Sequence, residues 1–298
     1  MTSPAVAQQK RIALSFDDVP RGAGPWLTPD QRTRLLIAGL KRAKVKQSVF
    51  FVTPGNLLEK DGKGGEARIN AYVRAGNVIA NHSFVHPQLT DLTAAAYLDD
   101  IDRADRWLKD RPGFRRWFRY PYLNEGRTDK VKRDAIRAGL AKRGYRNGYV
   151  TAESSDWNLE AMTAAAVKAR KPIDRAALRD LYVESHVQAA NFYDKLAIKT
   201  LGKSPAHVML LHETDMAAFF IADLVAALRA DGWTIITADE AYAEPLLANA
   251  APDVPSAQGT LTEFLAWEKG LPAPRWYERN DMELAGRLYR ERVLHEKP

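Results

Sequence analysis

Two adjacent aspartates, Asp17 and Asp18, directly follow an apolar stretch at residues 11–16 that has the composition of a β-strand. The carboxyl ends of parallel strands are where barrel enzymes place their reactive groups. Because successive strand residues point to opposite faces, we expect one carboxylate to bind a cation and the other to face a substrate or a water molecule. A pair of turn-capping aspartates is the alternative interpretation.

His82 and His86 favour the cation-binding interpretation. Four residues span about 6 Å in a helical turn but about 13 Å in a strand, so the two imidazoles can share a metal only across a turn. Asn81 is the expected cap of this turn, and Pro87 limits it to a single short one. The chain has no cysteine, which excludes a thiolate site. The predicted centre has two histidines and one aspartate, with coordination positions left open.

Three further polar groups follow apolar stretches later in the chain. They are Arg119-Tyr120-Pro121-Tyr122, the segment 153–157 (Glu-Ser-Ser-Asp-Trp) and Leu210-Leu211-His212. Each type of group is common in structural roles, but all are predicted to lie at the same edge of a sheet. Their shared location indicates one site.

The elements that must position these residues alternate along the chain. Apolar stretches predict strands at 11–16, 48–52, 77–80, 117–120, 144–150, 207–211 and 233–236. Amphipathic stretches predict helices at 29–42, 66–75, 93–109, 128–143, 174–200 and 217–230. This α/β pattern predicts a mainly parallel sheet. Seven strands favour a closed or nearly closed (β/α) barrel, and an open doubly wound sheet is the alternative.

The chain divides into three predicted parts: a flexible tail at 1–10, a barrel at 11–243 and an appendage at 244–298 that packs on the barrel. Ala5-Val6-Ala7 has the small-residue form of a signal-peptidase site. It predicts a periplasmic or secreted protein whose signal peptide has been trimmed, although an ordinary tail fits equally well.

The appendage is set apart by prolines that interrupt the strand and helix alternation. Its last helix is predicted at 281–293, with Asn280 as the N-cap and Glu283 at the third position. The predicted anchors of the appendage on the barrel are Trp267, Trp276 and Tyr277.

Composition excludes several classes of protein. The 298 residues are 46% hydrophobic and 27% charged, which indicates a folded chain. The best apolar window, 216–228, is interrupted by Asp223, which excludes a membrane-spanning helix there. The net charge of +7 is spread over predicted helix surfaces, without the basic and aromatic interleaving of a nucleic-acid platform. The stretch 21–24 (Arg-Gly-Ala-Gly) lacks the rest of a phosphate-binding loop and is interpreted as an ordinary loop.

The polar groups form five motifs in a fixed order. They are Ser-Phe-Asp-Asp at 15–18, His-Ser-Phe-Val-His at 82–86, Arg-Tyr-Pro-Tyr at 119–122, Ser-Asp-Trp at 155–157 and Leu-Leu-His at 210–212. In this order they resemble the motifs of the NodB-type polysaccharide deacetylases, carbohydrate esterase family 4. The resemblance covers about residues 11–243, and five ordered motifs are far more specific than any one of them.

The resemblance implies a distorted (β/α) barrel and a single divalent metal ion, usually zinc, bound by Asp18, His82 and His86. It also implies that Asp17 is the general base and that Arg119 holds and orients Asp17. The activity implied is hydrolysis of N-acetyl groups on a chitin-like or peptidoglycan-like glycan.

The remaining implied roles belong to the later motifs. The backbone N–H of Tyr122 would contribute to the oxyanion hole, and His212 would be the general acid, oriented by Asp156. The residues implied to contact the substrate are Trp157, Leu210 and Tyr120.

Two positions depart from the family pattern. Val19 stands where a glycine usually follows the aspartate pair, and Glu153 replaces the first aspartate of an Asp-x-x-Asp-Trp motif. The role of Glu153 is therefore left open. Two alternative functions remain: hydrolysis of small cyclic amides such as imides or allantoin on the same barrel, and glycan binding without catalysis. The sequence makes no prediction about the oligomeric state.

Overall fold

The computed structural model describes residues 9–296, without the side chains of Leu246 and Leu247. The predicted signal-peptide remnant and most of the predicted tail lie outside the described residues. The strands are β1 Lys10–Val19, β2 Val49–Val52, β3 Val78–Asn81, β4 Phe114–Phe118, β5 Asn124–Arg127, β6 Arg146–Asn147, β7 Ala206–His212, β8 Trp233–Ile235 and β9 Ala257–Gln258.

Most of the strands form one parallel sheet in the order β6-β4-β3-β2-β1-β7, and β8 also pairs with β1. Strands β5 and β9 form a separate antiparallel pair. The α-helices are α1 Pro29–Arg42, α2 Gly65–Arg74, α3 Ala94–Leu108, α4 Lys130–Lys142, α5 Asp156–Lys168, α6 Arg175–Leu201, α7 Asp215–Ala230, α8 Ala238–Tyr242, α9 Pro245–Ala248, α10 Leu261–Glu268 and α11 Met282–Val293. Within the described residues, no helix is both long and apolar enough to cross a membrane.

The residues of β1 alternate between two buried environments. Ile12, Leu14 and Phe16 face the large core under the surrounding helices, whereas Ala13 packs in a smaller cluster inside the barrel. By the same alternation Ser15 and Asp17 face inward. The barrel interior therefore receives small and polar side chains from β1, and Asp17 points into it at the carboxyl end of the strand.

The predicted strand at 144–150 is wrong in extent, because only Arg146–Asn147 pairs as a strand, with β4. Beyond it the chain crosses from one edge of the sheet to the other. The N–H of Gly148 donates to the carbonyl of Phe118, and the N–H of Leu210 donates to the carbonyl of Ala152. The segment 148–152 thus joins β4 to β7 and confirms the predicted (β/α) barrel.

The segment 244–298 contacts the barrel through its helices, since α10 packs on α6 and α11 packs on α5 and α6. Tyr277 is buried against Ala189 and Tyr193, but Trp276 is 43% exposed and is not an anchor. The predicted N-cap of the last helix is also wrong by one residue. Asp281 caps α11 by accepting a hydrogen bond from the N–H of Leu284. This leaves the side chain of Asn280 free for other contacts.

Candidate active site

Asp18 reaches the site because β1 contains a bulge. The register between β1 and β2 runs from Phe16 opposite Phe50 to Val19 opposite Val52, so β1 has one extra residue there. Asp18 lies in this interruption with a left-handed backbone, at a φ of 66°. A bulge re-aims a side chain that regular alternation would point outward. Asp17 and Asp18 therefore both lie at the carboxyl end of β1.

His82 and His86 are brought together by a loop that follows β3. Their rings lie 4.8 Å apart between centroids, as a shared site requires. The predicted helical turn is wrong, however, because Ser83 and His86 both have a left-handed backbone. The loop is closed by side chains instead: Asn81 accepts from the N–H of Ser83, and Ser83 Oγ accepts from the N–H of His86.

Three ligand atoms converge on one point. One atom each from Asp18, His82 and His86 lies within 4.8 Å of the others, and Nε2 of His86 and of His82 are 3.1 Å and 3.4 Å from Asp18 Oδ1. His82 Nδ1 lies 2.8 Å from the carbonyl of Arg119. A neutral imidazole that donates a hydrogen bond from Nδ1 to this carbonyl carries a lone pair on Nε2, which faces the point shared with Asp18 and His86. This arrangement is typical of metal-binding histidines.

The carboxylate of Asp18 fits a cation. Within residues 9–296, its buried Oδ1 has no hydrogen-bond partner. Although burial acts in the opposite direction, the neighbouring imidazoles of His82 and His86 hold the pKa of Asp18 well below its usual range. Asp18 is therefore an anion at neutral pH. Two imidazoles and one carboxylate are a donor set that a divalent metal accepts.

Asp17 is held by a buried arginine. Both of its carboxylate oxygens lie 3.0 Å from Nη1 of Arg119. The other guanidinium nitrogens of Arg119 donate to the carbonyl of Gly148, to Ser15 Oγ at 3.3 Å and to the hydroxyl of Tyr242 at 3.0 Å. Arg119 thus fixes the orientation of Asp17 and compensates its charge away from water.

Asp156 and His212 form the second charged pair of the site. Asp156 Oδ1 lies 2.7 Å from Nδ1 of His212, and Asp156 Oδ2 accepts from the N–H of His212 at 2.8 Å. Burial acts to lower the pKa of His212, but the Asp156 carboxylate outweighs it and raises this pKa to about 9. Asp17 and His212 are register partners on neighbouring strands, so this pair lies beside Asp17.

The residues predicted to contact substrate occupy different environments, as does Tyr122, whose backbone N–H is predicted to contribute to the oxyanion hole. Trp157 is 43% exposed in the first turn of α5, and Tyr122 is 51% exposed with its ring 4.6 Å from that of His86. Leu210 lies two residues before His212 on the same face of β7. Tyr120, in contrast, is only 2% exposed and packs in the core cluster that also contains Phe118.

Sequence reasoning missed Arg21, which lies in the stretch interpreted as an ordinary loop. Arg21 Nη1 lies 2.8 Å from Asp18 Oδ2, so the carboxylate oxygen that does not face the histidines is paired with a cation. Arg21 also lines an open cavity of about 420 Å³ beside Asp18 and His86, together with Asn56 and Lys60. The only sequence signal for this contact is its three-residue separation from Asp18.

Comparison with known proteins supports the resemblance that the five motifs indicate. Residues 5–145 match the family model described as polysaccharide deacetylase. Over 111 residues the chain is 29% identical to the peptidoglycan-N-acetylglucosamine deacetylase PgdA of Listeria monocytogenes. That stretch covers 37% of this chain and 21% of PgdA, so the chain matches about a fifth of its relative.

Solved structures share the fold. The family 4 carbohydrate esterase of Streptomyces lividans aligns with a TM-score of 0.51 at 22% identity, over 79% of this chain and 97% of that one. A mutant of BA3943, a CE4 family pseudoenzyme of Bacillus anthracis, aligns with a TM-score of 0.54 at 17% identity, over 80% and 71%. The resemblance to the NodB-type polysaccharide deacetylases is confirmed, and at these identities the solved structures establish the fold alone.

Proposed function

We propose that this protein is a metal-dependent hydrolase that removes N-acetyl groups from a glycan. Its fold is that of the NodB-type polysaccharide deacetylases, and its residues 5–145 match the model of that family. The observation that carries the proposal is the meeting of Asp18, His82 and His86 within 4.8 Å. Asp17 lies beside them, with Nε2 of His82 3.7 Å from Asp17 Oδ2. A cation ligand set next to a separate buried carboxylate suits the activation of water.

Asp18, His82 and His86 would hold the metal, and two imidazoles with one carboxylate are a ligand set that zinc accepts. When bound, the ion supplies a Lewis acid that polarises the acetyl carbonyl and makes water a better nucleophile. Three protein ligands leave room for both the water and the substrate.

The chain's own groups supply the proton transfers. Asp17, oriented by Arg119, accepts a proton from the attacking water. The backbone N–H of Tyr122 stabilises the oxyanion that forms as the carbonyl carbon becomes tetrahedral. His212, held by Asp156, donates a proton to the amide nitrogen as the C–N bond breaks. The products are acetate and a glycan with a free amine.

The substrate proposed is an N-acetylated polymer or oligomer of the peptidoglycan or chitin type. Trp157 and Tyr122 support this class, because both are exposed aromatic residues beside the site where a sugar ring would lie. PgdA, the relative from Listeria monocytogenes, is named for a peptidoglycan substrate. A glycan of this type lies outside the cytoplasm, so we propose a periplasmic or secreted location.

The test is acetate release from N-acetylglucosamine oligomers by protein that has been treated with a chelator and dialysed. We expect no release without metal and full release after addition of one equivalent of zinc. The same preparations are assayed on cyclic ureides and imides as the competing substrate class.

Release that persists in the chelated protein would contradict the proposal, as would turnover of cyclic amides without turnover of oligomers. Glycan binding without acetate release at saturating metal would instead support a non-catalytic binding protein.

A further inference from the structure

The loop that carries Asp156 is tied to the C-terminal segment by a ring of three hydrogen bonds. Asn280 Nδ2 donates to Glu153 Oε1 at 2.7 Å. The second oxygen, Glu153 Oε2, accepts from the N–H of Ser155 at 3.0 Å. Ser155 Oγ closes the ring by donating to Asn280 Oδ1 at 3.2 Å. The side chains of Glu153 and Asn280 together hold both the backbone and the side chain of Ser155.

Ser155 is the residue that aims Asp156. It has a left-handed backbone, at a φ of 51°, and immediately precedes Asp156, the first residue of α5. A left-handed conformation in a residue other than glycine is held by surrounding contacts rather than by its own preference. The side chain of Ser155 makes no capping bond to α5. The ring to Glu153 and Asn280 is therefore what fixes the conformation from which α5 begins.

Asn280 is itself placed by a buried anchor. Its N–H donates to the carbonyl of Tyr277, which is buried against Tyr193. Asn280 Nδ2 also lies 3.4 Å from the hydroxyl of Tyr193, which donates to Glu263 at 2.6 Å. The position of Asn280 is thus set by the packing of the C-terminal segment on α6, and not by the loop that it holds.

We infer that Asn280 is a positioning residue for the general acid, and that it acts through Glu153 and Ser155 on Asp156. Glu153 then serves as the acceptor that links the loop to the C-terminal segment. This inference rests on the proposed function, in which Asp156 orients His212. It assigns the segment 244–298 a part in catalysis, since that segment supplies a residue that holds the loop from which Asp156 begins α5.

The experiment removes the ring in one variant and rebuilds it in another. Asn280→Leu has a similar size but neither donates nor accepts, so it breaks two of the three bonds. The double variant E153Q/N280D exchanges the donor and the acceptor. In it, the amide introduced at position 153 donates to the carboxylate introduced at position 280, and both side chains still accept from Ser155. Asn249→Leu, an exposed position of the same segment, is the matched control.

We expect Asn280→Leu to lower kcat by about 10- to 100-fold with KM and zinc affinity changed by less than about twofold. E153Q/N280D is expected to recover to within about threefold of the unmodified chain, and Asn249→Leu to match it. Circular dichroism at the assay temperature identifies folded samples. Wild-type kcat in folded Asn280→Leu would overturn the inference, and so would a double variant no better than Asn280→Leu.

A second readout does not depend on turnover. In metal-free protein, the Nδ1 proton of His212 is expected to give a downfield NMR signal, assigned from its absence in His212→Gln. This signal should disappear in Asn280→Leu and return in E153Q/N280D. If the chain releases no acetate but the signal follows this pattern, the positional inference holds and the proposed function fails. A signal that is unchanged in Asn280→Leu overturns the inference itself.

Discussion

The two charged pairs of the site are supported in different ways. Asp17 is held by Arg119. The other partners of Arg119 are Ser15 in β1, Gly148 in the segment 148–152 and Tyr242 in α8. Asp156 begins a helix, and the loop before it is tied to Asn280 in the C-terminal segment. The base side of the site, which carries the proposed base Asp17, is therefore fixed by contacts within the barrel. The acid side, which carries Asp156 and the proposed acid His212, also depends on a contact with the segment 244–298, outside the barrel.

The largest effect on acetate release is expected from changes to the predicted metal ligands, Asp18, His82 and His86, which lie on the base side of the site. His82→Ala removes an imidazole whose other nitrogen is already fixed by the carbonyl of Arg119. We expect zinc binding to be lost in isothermal titration calorimetry and acetate release to fall to background. His295→Ala, at an exposed histidine paired with Asp174, is the control and should retain both. Stoichiometric zinc binding in His82→Ala would remove this histidine from the site.

Asp17→Asn separates proton transfer from metal binding. The amide keeps the shape of the carboxylate but does not accept a proton, so kcat should fall by about 10²- to 10⁴-fold. Zinc affinity should change only slightly, because Asp17 is not one of the three ligands. Steady-state kinetics and calorimetry on the same preparation check both expectations. A loss of zinc binding equal to that of His82→Ala would make Asp17 a ligand rather than the base.

Arg119→Met and Asn280→Leu together test whether the contacts that hold Asp17 contribute more to stability than the contacts that hold the loop before Asp156. It leaves the carboxylate of Asp17 buried without its partner, which should lower the free energy of unfolding by about 3–5 kcal/mol. Asn280→Leu leaves only a half-buried contact incomplete, and its cost should be about 1 kcal/mol. Urea unfolding of both variants measures the two values. Equal losses would show that the two sides are supported alike.

On the acid side, His212 is expected to lose its proton at high pH, and with it the charge interaction with Asp156. In metal-free protein its pKa should lie near 9 instead of 6.5, because the Asp156 carboxylate stabilises the imidazolium. The stabilisation from this pair is complete below pH 6.5 and is lost as the pH rises through about 9. An NMR titration should therefore show a lower midpoint in Asp156→Asn. A midpoint near 6.5 in both proteins would contradict the assignment of this pair.

The smallest effect on acetate release is expected at Glu263, which accepts a hydrogen bond from the hydroxyl of Tyr193, next to Asn280. Burial raises its pKa to about 8, and the Glu153 carboxylate adds to the shift. The folded chain therefore keeps a proton there that the unfolded chain has lost, so stability falls as the pH rises from about 4.5 through 8. Glu263→Gln should be more stable than the unmodified chain at pH 8.5, with the difference much smaller at pH 5. Thermal unfolding at both pH values measures this difference.

The elements with local signals could be predicted from the sequence. Helix α1 begins at Pro29, as predicted, because Thr28 and Gln31 form a capping box around a proline suited to the first turn. The meeting of His82 and His86 was also predictable, since it depends on a four-residue separation. The helical geometry predicted for their turn was wrong because Asn81 and Ser83 supply a different hydrogen-bond pattern.

The contacts that were missed depend on side chains from distant segments or on their direction. Asn280 and Glu153 are separated by 127 residues, and the bond between them exists only once the C-terminal segment has packed on α6. Tyr120 was predicted to contact substrate from its motif, but it turns into the core beside Phe118. Arg21 lies close to Asp18 in sequence, yet no pattern of residue types indicates which way a loop arginine points.

Five residues of the site have a left-handed backbone: Asp18, Ser83, His86, Tyr122 and Ser155. At such positions β-branched side chains are strongly disfavoured, whereas asparagine and glycine are accepted. A mutant library that samples all amino acids there would lose many members to misfolding before their chemistry was tested. Engineering of a new specificity on this scaffold should keep these five positions to residues that tolerate the conformation, and diversify the exposed cavity around Asn56 and Lys60 instead.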